Sequence, residues 1–217
     1  MNKVVFLDRD GTINIDKHYL HKIEEFEFLP GAVEGMKKLQ DLGYLLVIIT
    51  NQSGIARGYY SEKQYKELEQ WMIEELRSRG VYISGTYYCP HLPNASIKEY
   101  AIFCECRKPR LGLFEKAIQE HNIDVKHSIA IGDKNRDLEI CKNGMTRGFL
   151  VYSKQKTQGK ITCIEGGILE VAEIIAKEEK RELIKDGLEE KKRLLQEIEE
   201  CGYTKKVEDK LLTFYII

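Results

Sequence analysis

Short apolar runs alternate along this chain with stretches in which apolar residues recur every three or four positions. The runs typical of buried strands are 4–7, 44–50, 85–89, 128–133 and 148–152. The helical period is clear between Val33 and Leu42, where Gly43 ends the pattern, and Ser61 with Gln64 predicts a capping box at the start of a second helix. Strands that alternate with helices predict an α/β fold with a doubly wound parallel sheet.

Polar side chains follow three of these predicted strands at the point where each strand ends. Asp8 and Asp10 come after the first strand, Thr50 ends the second, and Asp133 ends the fourth. Ligands of open α/β sheets bind at the carboxyl ends of the strands, so we expect these side chains to converge if the strands are neighbours. Carboxylates gathered in this way suit Mg²⁺. The alternative for Asp8 and Asp10 alone is that they cap a turn.

Charge and hydropathy narrow the choice of partners. The chain of 217 residues has 34 Lys and Arg against 35 Asp and Glu, a formal net charge of −1, which argues against a nucleic-acid-binding surface. No apolar run approaches the roughly 20 residues of a membrane-spanning helix. The amino-terminal residues enter a strand at once and lack the apolar segment of a signal peptide. The sequence therefore predicts a cytoplasmic protein without a membrane partner.

A second group of residues has the spacing of metal ligands. Cys89-x-His91 is followed after twelve residues by Cys104-x-Cys106. Three thiolates and one imidazole make a complete tetrahedral zinc set, and a set with no open position is typical of a structural site. The alternative is a group of buried cysteines without a metal.

Four motifs carry a resemblance to a known superfamily. "DRDGT", "VIITNQSG", the lysine of "CRKP" and "IGDKNRD" resemble, in order and spacing, the motifs of the haloacid dehalogenase superfamily. Within it, "TNQSGIARGYY", "YYCPHLP" and "CECRKP" look like the family of D-glycero-D-manno-heptose 1,7-bisphosphate 7-phosphatases, and the histidinol-phosphate phosphatases share much of this pattern. The resemblance is close over residues 3–152 and continues loosely over 160–175. It implies a zinc loop as well as a Mg²⁺ site.

The resemblance also implies a role for each matching residue. Asp8 would be the nucleophile and Asp10 the general acid and base, while Thr50 and Lys108 would bind the phosphoryl oxygens. Mg²⁺ would be held by Asp8, the Asp10 carbonyl and Asp133. The residues implied in substrate binding are Asp16, Lys17, His18, Tyr19, Asn51, Gln52, Ser53, Arg107 and Lys134.

The implied reaction is removal of the 7-phosphate from a heptose 1,7-bisphosphate through an aspartyl-phosphate. Two alternatives stay open at this point. One is a phosphatase for histidinol phosphate or another small sugar phosphate. The other is a non-catalytic scaffold, against which the presence of Asp8, Asp10, Lys108 and Asp133 together argues. Arg57 could face the substrate or lie on the surface.

The carboxy-terminal part of the chain departs from the resemblance. We expect residues 1–178 to form the phosphatase domain, without a large cap domain, and residues 179–217 to form a charged helical extension. Residues 177–200 include sixteen charged residues among twenty-four. Apolar residues at heptad-like spacing are Ile184, Leu188, Leu195 and Ile198. The extension could pack on the domain as a solvated helix or join two copies, so the chain is a monomer or a homodimer.

Overall fold

The computed structural model describes residues 1–142, 146–154 and 159–200, and for residues 197–200 it describes the backbone alone. The predicted order of strands and helices is confirmed. The elements are β1 Val4–Leu7, α1 Ala32–Asp41, β2 Leu45–Asn51, α2 Gly54–Arg57, α3 Glu62–Ser78, β3 Ile83–Cys89, α4 Gly112–His121, β4 Ile129–Gly132, α5 Glu139–Lys142, β5 Arg147–Leu150, β6 Ile161–Cys163 and α6 Ile168–Glu200.

The described strands form one six-stranded sheet in the order β3-β2-β1-β4-β5-β6, and every neighbouring pair is parallel. β1 therefore lies between β2 and β4. Since these are the three strands that end in the predicted site residues, their carboxyl ends meet at one edge of the sheet. The strand adjacency that the sequence argument required is confirmed.

Successive side chains of β1 point to opposite faces of the sheet, and the hydrophobic core is divided into two layers, one on each face. Val5 and Leu7 point to one face of the sheet, where α1, α3 and the first turns of α6 cover them. Val4 and Phe6 point to the other face, which α4 and α5 cover. All four side chains are buried, so β1 is anchored on both faces and its carboxyl end is held rigidly. This is the doubly wound arrangement that the sequence predicts.

The pattern of "RDLEICKNG" predicts a helix over 136–144, but the segment after β4 is tighter than that. A 3₁₀ turn at Asn135–Leu138 precedes the single α-helical turn of α5. The carboxylate of Asp137 accepts a hydrogen bond from the backbone N–H of Lys134 at 3.0 Å, which closes that turn directly beside the strand end. Residues 143–144 of the predicted helix lie outside the described residues.

The chain divides into two compact units, residues 1–175 and residues 176–217. The predicted domain boundary at 178/179 falls inside α6 and stays a prediction. In the second unit the exposed large apolar side chains among the described residues are Leu183, Ile184, Leu188 and Leu194. Over the described ranges, no helix combines the length and the apolar character that crossing a membrane requires.

Candidate active site

The centre of the site is a buried ion-pair cluster around Lys108. The Lys108 ammonium lies 2.8 Å from Asp8 Oδ1 and 2.7 Å from Asp137 Oδ1. It also donates a hydrogen bond to the Ile49 carbonyl oxygen at 2.6 Å. All three charged side chains are buried. The sequence places Asp137 at the end of the fourth strand, as the last residue of "GDKNRD", but the sequence argument assigned it no role in the site.

Burial and the charge of Lys108 shift the pKa of Asp8 in opposite directions. Burial and the charge of the neighbouring Asp137 carboxylate together raise the pKa of Asp8 to about 6, against the opposing charge of Lys108. Burial lowers the pKa of Lys108, but the two carboxylates outweigh it and the net shift is upward. Lys108 is therefore charged at neutral pH, and a further cation beside Asp8 would favour its carboxylate form.

Asp133 supplies the third carboxylate of this edge. Asp8, Asp133 and Asp137 each bring a carboxylate oxygen within 4.8 Å of the others. Asp133 Oδ1 is buried and accepts no hydrogen bond from the described residues. Burial and the charge of Asp8 raise the pKa of Asp133. A buried carboxylate oxygen without a partner, beside two other carboxylates, fits the oxygen ligands that Mg²⁺ prefers.

Gly11 makes this close approach possible. Its φ of +86° belongs to the left-handed region, and a Cβ at this position would lie 2.5 Å from Asp133 Oδ2. Any side chain here would therefore displace the Asp133 carboxylate from its position in the site. This is the physical reason for the glycine in "DRDGT".

Three side chains donate hydrogen bonds to the Asp10 carboxylate. Arg9 Nη2 donates to both carboxylate oxygens at 2.8 and 2.9 Å, and Arg9 Nε donates to Oδ1 at 3.2 Å. Asn14 Nδ2 and Gln52 Nε2 each donate to the same carboxylate at 3.0 Å. Burial alone would raise the pKa of Asp10, but the Arg9 charge and these hydrogen bonds lower it overall. Asp10 is therefore ionised in the free protein.

Two of the predicted substrate-binding amides are occupied by protein partners. Asn51 exchanges hydrogen bonds with the backbone of Lys108, both at 3.0 Å, and so fixes the position of that lysine. Gln52 donates to Thr50 Oγ1 at 2.9 Å as well as to Asp10, and it accepts from the Tyr60 hydroxyl at 2.6 Å. The geometry gives both residues a supporting position around the site.

A polar cleft of about 270 Å³ opens above these residues. The predicted site residues that line it are Asp8, Asp10, Asp16, His18, Tyr19, Thr50, Asn51, Gln52, Ser53, Arg107 and Lys134. Asp133 and Lys108 lie behind this lining. Lys17 does not line the cleft and instead pairs with Glu27 at 3.3 Å. The structure adds four lining residues that the sequence argument did not assign: Arg57, which it left open, together with Gly54, Tyr60 and Arg136.

The mouth of the cleft carries an excess of positive charge. Burial lowers the pKa of Arg107, and the nearby charges of Arg136 and Arg57 lower it further. Like charges placed this close repel one another, so an anion that binds between them is stabilised. Lys134 lies on the same rim, where its ammonium is 3.0 Å from Asp133 and 3.3 Å from Asp16.

One side of the rim is formed by the loop that contains His18 and Tyr19, which has an unusual backbone conformation. His18 and Tyr19 have φ values of +54° and +63°, which are uncommon for residues with a side chain. Asp16 accepts a hydrogen bond from the His18 backbone N–H at 3.0 Å, and the Tyr19 ring packs edge-to-face on Tyr59 with centroids 4.6 Å apart. These contacts hold Tyr19 at the cleft.

The cysteine and histidine residues also come together. Cys106 Sγ lies 3.1 Å from the sulfurs of both Cys89 and Cys104, and His91 Nδ1 lies 3.2 Å from Cys106 Sγ and 3.7 Å from Cys89 Sγ. Ligands about 2.3 Å from a single ion at tetrahedral corners would lie roughly 3.7 Å apart, which these separations approach. The four residues form a group that could hold a metal ion.

A parallel α/β sheet with two aspartates after β1, a hydroxyl at the end of β2, a buried lysine, and an acidic turn after β4 defines the class: a phosphatase of the haloacid dehalogenase superfamily. A family model described as polynucleotide kinase 3 phosphatase matches residues 3–158. The chain belongs to the haloacid dehalogenase family of D-glycero-D-manno-heptose 1,7-bisphosphate 7-phosphatases, as the following relatives show.

The chain is similar to the α-anomer heptose 1,7-bisphosphate 7-phosphatase of Photorhabdus laumondii, with 49% identity over 156 residues that cover 71% of this chain and 85% of the relative. It is 53% identical over 137 residues to the β-anomer enzyme of Haemophilus ducreyi, covering 63% of this chain and 75% of the relative. Among solved structures, the D,D-heptose 1,7-bisphosphate phosphatase of B. bronchiseptica, complexed with magnesium and phosphate, matches with a TM-score of 0.70 and 26% identity. That match covers 81% of this chain and 99% of the other.

Proposed function

We propose that this chain is a Mg²⁺-dependent phosphatase that removes the 7-phosphate from a D-glycero-D-manno-heptose 1,7-bisphosphate. The observation that carries this proposal is the position of Asp8, which lines the cleft while Lys108 and the carboxylates of Asp133 and Asp137 surround it. The relatives' shared substrate supports the choice of a heptose bisphosphate. A phosphatase needs little more than a placed nucleophile and charge stabilisation, and this edge of the sheet offers both.

In the first half of the reaction, Asp8 attacks phosphorus and forms an aspartyl-phosphate as the bond to the sugar oxygen breaks. Lys108 and Thr50 stabilise the charge on the phosphoryl oxygens. Asp10 donates a proton to the departing sugar oxygen. The phosphate's own negative charge, arriving beside Asp10, raises the pKa of this carboxyl and so favours the protonated form that the step requires.

In the second half of the reaction, water attacks the aspartyl-phosphate and regenerates Asp8. Asp10 has lost its proton to the sugar and is now the carboxylate that Arg9 favours. It takes a proton from the attacking water, so the same group acts as acid and then as base. Inorganic phosphate is released, and the enzyme returns to its initial state.

Mg²⁺ would be held by Asp8 and Asp133 with the Asp10 carbonyl, and when bound it supplies positive charge between the nucleophilic carboxylate and the phosphate. The four residues Cys89, His91, Cys104 and Cys106 would hold Zn²⁺ in a structural role. All four tetrahedral positions would be filled by protein, so none is left for a reacting water.

The rim gives a physical reason for a substrate with two phosphates. Arg57, Arg107 and Arg136 line the cleft together with Lys134, in addition to the buried Lys108 beside Asp8. Lys134 already pairs with Asp133 and Asp16, and Arg136 lies 3.9 Å from Asp137, but a monophosphate seated on Asp8 would leave Arg57 and Arg107 without an anion among the described residues. A second phosphate at the other end of the sugar would neutralise them and orient the 7-phosphate toward Asp8.

The test is phosphate release from both anomers of the heptose 1,7-bisphosphate, from histidinol phosphate and from common hexose phosphates, with ³¹P NMR of the products. We expect the highest kcat/KM for a heptose bisphosphate, a product that keeps its 1-phosphate, and no release by Asp8→Asn. Preferential hydrolysis of histidinol phosphate or of a hexose phosphate would overturn the proposed substrate. Loss of the 1-phosphate would overturn the proposed orientation.

A further inference from the structure

Among the described residues, Arg9 has the largest side chain that is almost completely buried. Only 1% of its surface is exposed. It stands between the two catalytic aspartates in sequence, yet it points away from the cleft and does not line it. Its guanidinium faces the Tyr65 ring at 5.5 Å, and its Nη2 also donates to the Leu20 carbonyl at 3.3 Å. Arg9 Nη1 is buried and has no hydrogen-bond partner among the described residues.

This burial is costly and needs a reason other than stability. A buried ion pair often stabilises a fold no better than apolar residues of the same size, because both charges lose their hydration. Here one of the guanidinium nitrogens, Nη1, also gives up hydrogen bonds to water and finds no acceptor in their place among the described residues. The pairing is instead well suited to orienting Asp10, because the planar guanidinium with its two neighbouring N–H donors fixes both the position and the rotation of a carboxylate.

The orientation of Asp10 matters more than that of an ordinary surface carboxylate. The Asp10 side chain keeps 23% of its surface exposed, and it lines the cleft while Arg9 holds it from the protein side. A proton donor must face the leaving oxygen within hydrogen-bond distance. Rotation of the carboxyl by the loss of its rear contacts would remove that alignment without affecting Asp8.

We propose that Arg9 is a positioning residue for general acid catalysis: its buried guanidinium orients the Asp10 carboxyl toward the sugar oxygen that leaves. The inference rests on the proposed function, because it concerns the acid of that reaction. It assigns Arg9 no contact with substrate, phosphate or metal, and all of its effect on the reaction passes through Asp10.

The nature of the leaving group separates this role from a purely structural one. A sugar alkoxide is a strong base and needs a proton as it departs, whereas p-nitrophenolate leaves without one. The value of kcat/KM reports the steps up to departure of the leaving group. Loss of a well-placed acid therefore lowers kcat/KM for a sugar phosphate far more than for p-nitrophenyl phosphate. Partial unfolding of the site would lower both in parallel.

The experiment compares Arg9→Met with the wild-type chain on both substrates in saturating Mg²⁺, after thermal unfolding has shown that each protein is folded. We expect kcat/KM to fall roughly 10²-fold for the sugar phosphate and less than about fivefold for p-nitrophenyl phosphate. Arg9→Lys keeps a buried charge but loses the planar guanidinium, so it should shift the ratio of the two values in the same direction by at least about fivefold. An unchanged ratio in these variants overturns the proposal.

Two further comparisons make the test specific. In an Asp10→Asn background, adding Arg9→Met should lower kcat/KM for the sugar phosphate by less than about threefold, because the acid is already missing. A full additional loss would mean that Arg9 acts by another route and would overturn the proposal. The matched control is Arg79→Met, which removes an exposed arginine–carboxylate pair with Glu75 and should leave both kcat/KM values unchanged.

The outcomes also distinguish this inference from the proposed substrate. If the wild-type chain hydrolyses a hexose phosphate but not the heptose bisphosphate, the proposed substrate fails and the comparison is made on the hexose phosphate. If it hydrolyses p-nitrophenyl phosphate but no alkyl phosphate, the acid role of Asp10 is overturned, and that of Arg9 with it.

Discussion

Lys108 connects the stability of the site to its chemistry at the level of a single residue. Its ammonium touches Asp8 and Asp137, and its backbone is held by the Asn51 side chain. Two carboxylates buried beside one another would repel without this cation. The same charge is available to the phosphoryl oxygens once substrate binds to Asp8. In the proposed mechanism, one residue thus pairs with both buried carboxylates of the free site and then stabilises the phosphoryl oxygens.

The first prediction concerns Lys108→Met. Removing one partner of a buried pair typically costs about 3–5 kcal/mol of unfolding free energy, because the other charges remain buried. We also expect kcat to fall by roughly 10²–10³, since a charge that stabilises the transition state is lost. Urea unfolding and steady-state kinetics measure the two effects.

The control for this variant is Lys142→Met. Lys142 pairs with Glu139 at 2.7 Å, a similar distance, but both side chains are solvent-accessible. An exposed pair contributes little, so the unfolding free energy should change by less than about 1 kcal/mol and kcat should not change. Equal effects of the two substitutions would contradict the role given to the buried lysine.

At the level of elements, the site combines rigid strand ends with a long loop. β1 and β2 hold Asp8 and Thr50 in the sheet, whereas Arg107 and Lys108 come from the segment between β3 and α4. Apart from a 3₁₀ turn at Lys98–Tyr100, that segment has no regular structure. The four clustered residues connect the start of this segment to its later part, because Cys89 ends β3 and Cys106 directly precedes Arg107. A metal bound there would fix the direction of both cations.

Cys104→Ser tests this prediction. Because the free energy of metal binding becomes local folding free energy, the variant should hold less zinc and exchange amide hydrogens faster over residues 90–107, while the sheet stays protected. Activity should fall through the displaced Arg107 and Lys108. Cys163→Ser, outside the cluster, should keep both the zinc and the protection. An ordered, fully active enzyme after strong chelation and Mg²⁺ replenishment would contradict the structural role.

The start of α3 gives a prediction for stability alone. Gln64 N–H donates to Ser61 Oγ at 3.2 Å, and Ser61 N–H donates to Gln64 Oε1 at 2.9 Å, so the predicted capping box is present. Ser61→Ala should lower the free energy of unfolding by about 1 kcal/mol and leave kcat within about twofold of the wild-type value. A loss of activity at unchanged stability would show that this helix end serves the site instead.

The sequence predicted those parts of the site that depend on local pattern. Asp8, Thr50 and Asp133 follow recognisable buried strands, and the topology rule for parallel sheets brings them together. The sequence did not predict that the Arg9 guanidinium is buried against Asp10, because an arginine beside a turn normally lies in solvent. Nor did it show that Asn51 and Gln52 bond to protein groups, because such pairing depends on how distant loops pack and not on residue type.

For the whole molecule, the fold and site account for residues 1–175, and the family model matches residues 3–158 within that region. The charged extension lies in the second compact unit, where the side chains of Leu183, Ile184, Leu188 and Leu194 are exposed. The predicted choice between a monomer and a homodimer through residues 179–217 stays open as a prediction. Sequence pattern alone could not decide it, because a short seam interrupted by Lys191 suits both arrangements.

The central claim for the whole enzyme is that Asp8 carries the phosphoryl group between two half-reactions that Asp10 serves as acid and as base. Asp10→Asn offers a direct measurement when the substrate is p-nitrophenyl phosphate. The first half-reaction needs no acid with this leaving group, whereas the second still needs the base. The phosphorylated enzyme should therefore accumulate.

The measurement is a rapid-mixing experiment with Asp10→Asn in Mg²⁺, followed by acid quench and mass spectrometry of the peptide that contains residue 8. The account predicts a burst of p-nitrophenolate close to one equivalent per chain, followed by slow turnover, and a phosphoryl group on Asp8. Asp8→Asn should give neither the burst nor the phosphopeptide. Steady release by Asp10→Asn at the wild-type rate, or a phosphoryl group on another residue, would contradict the account.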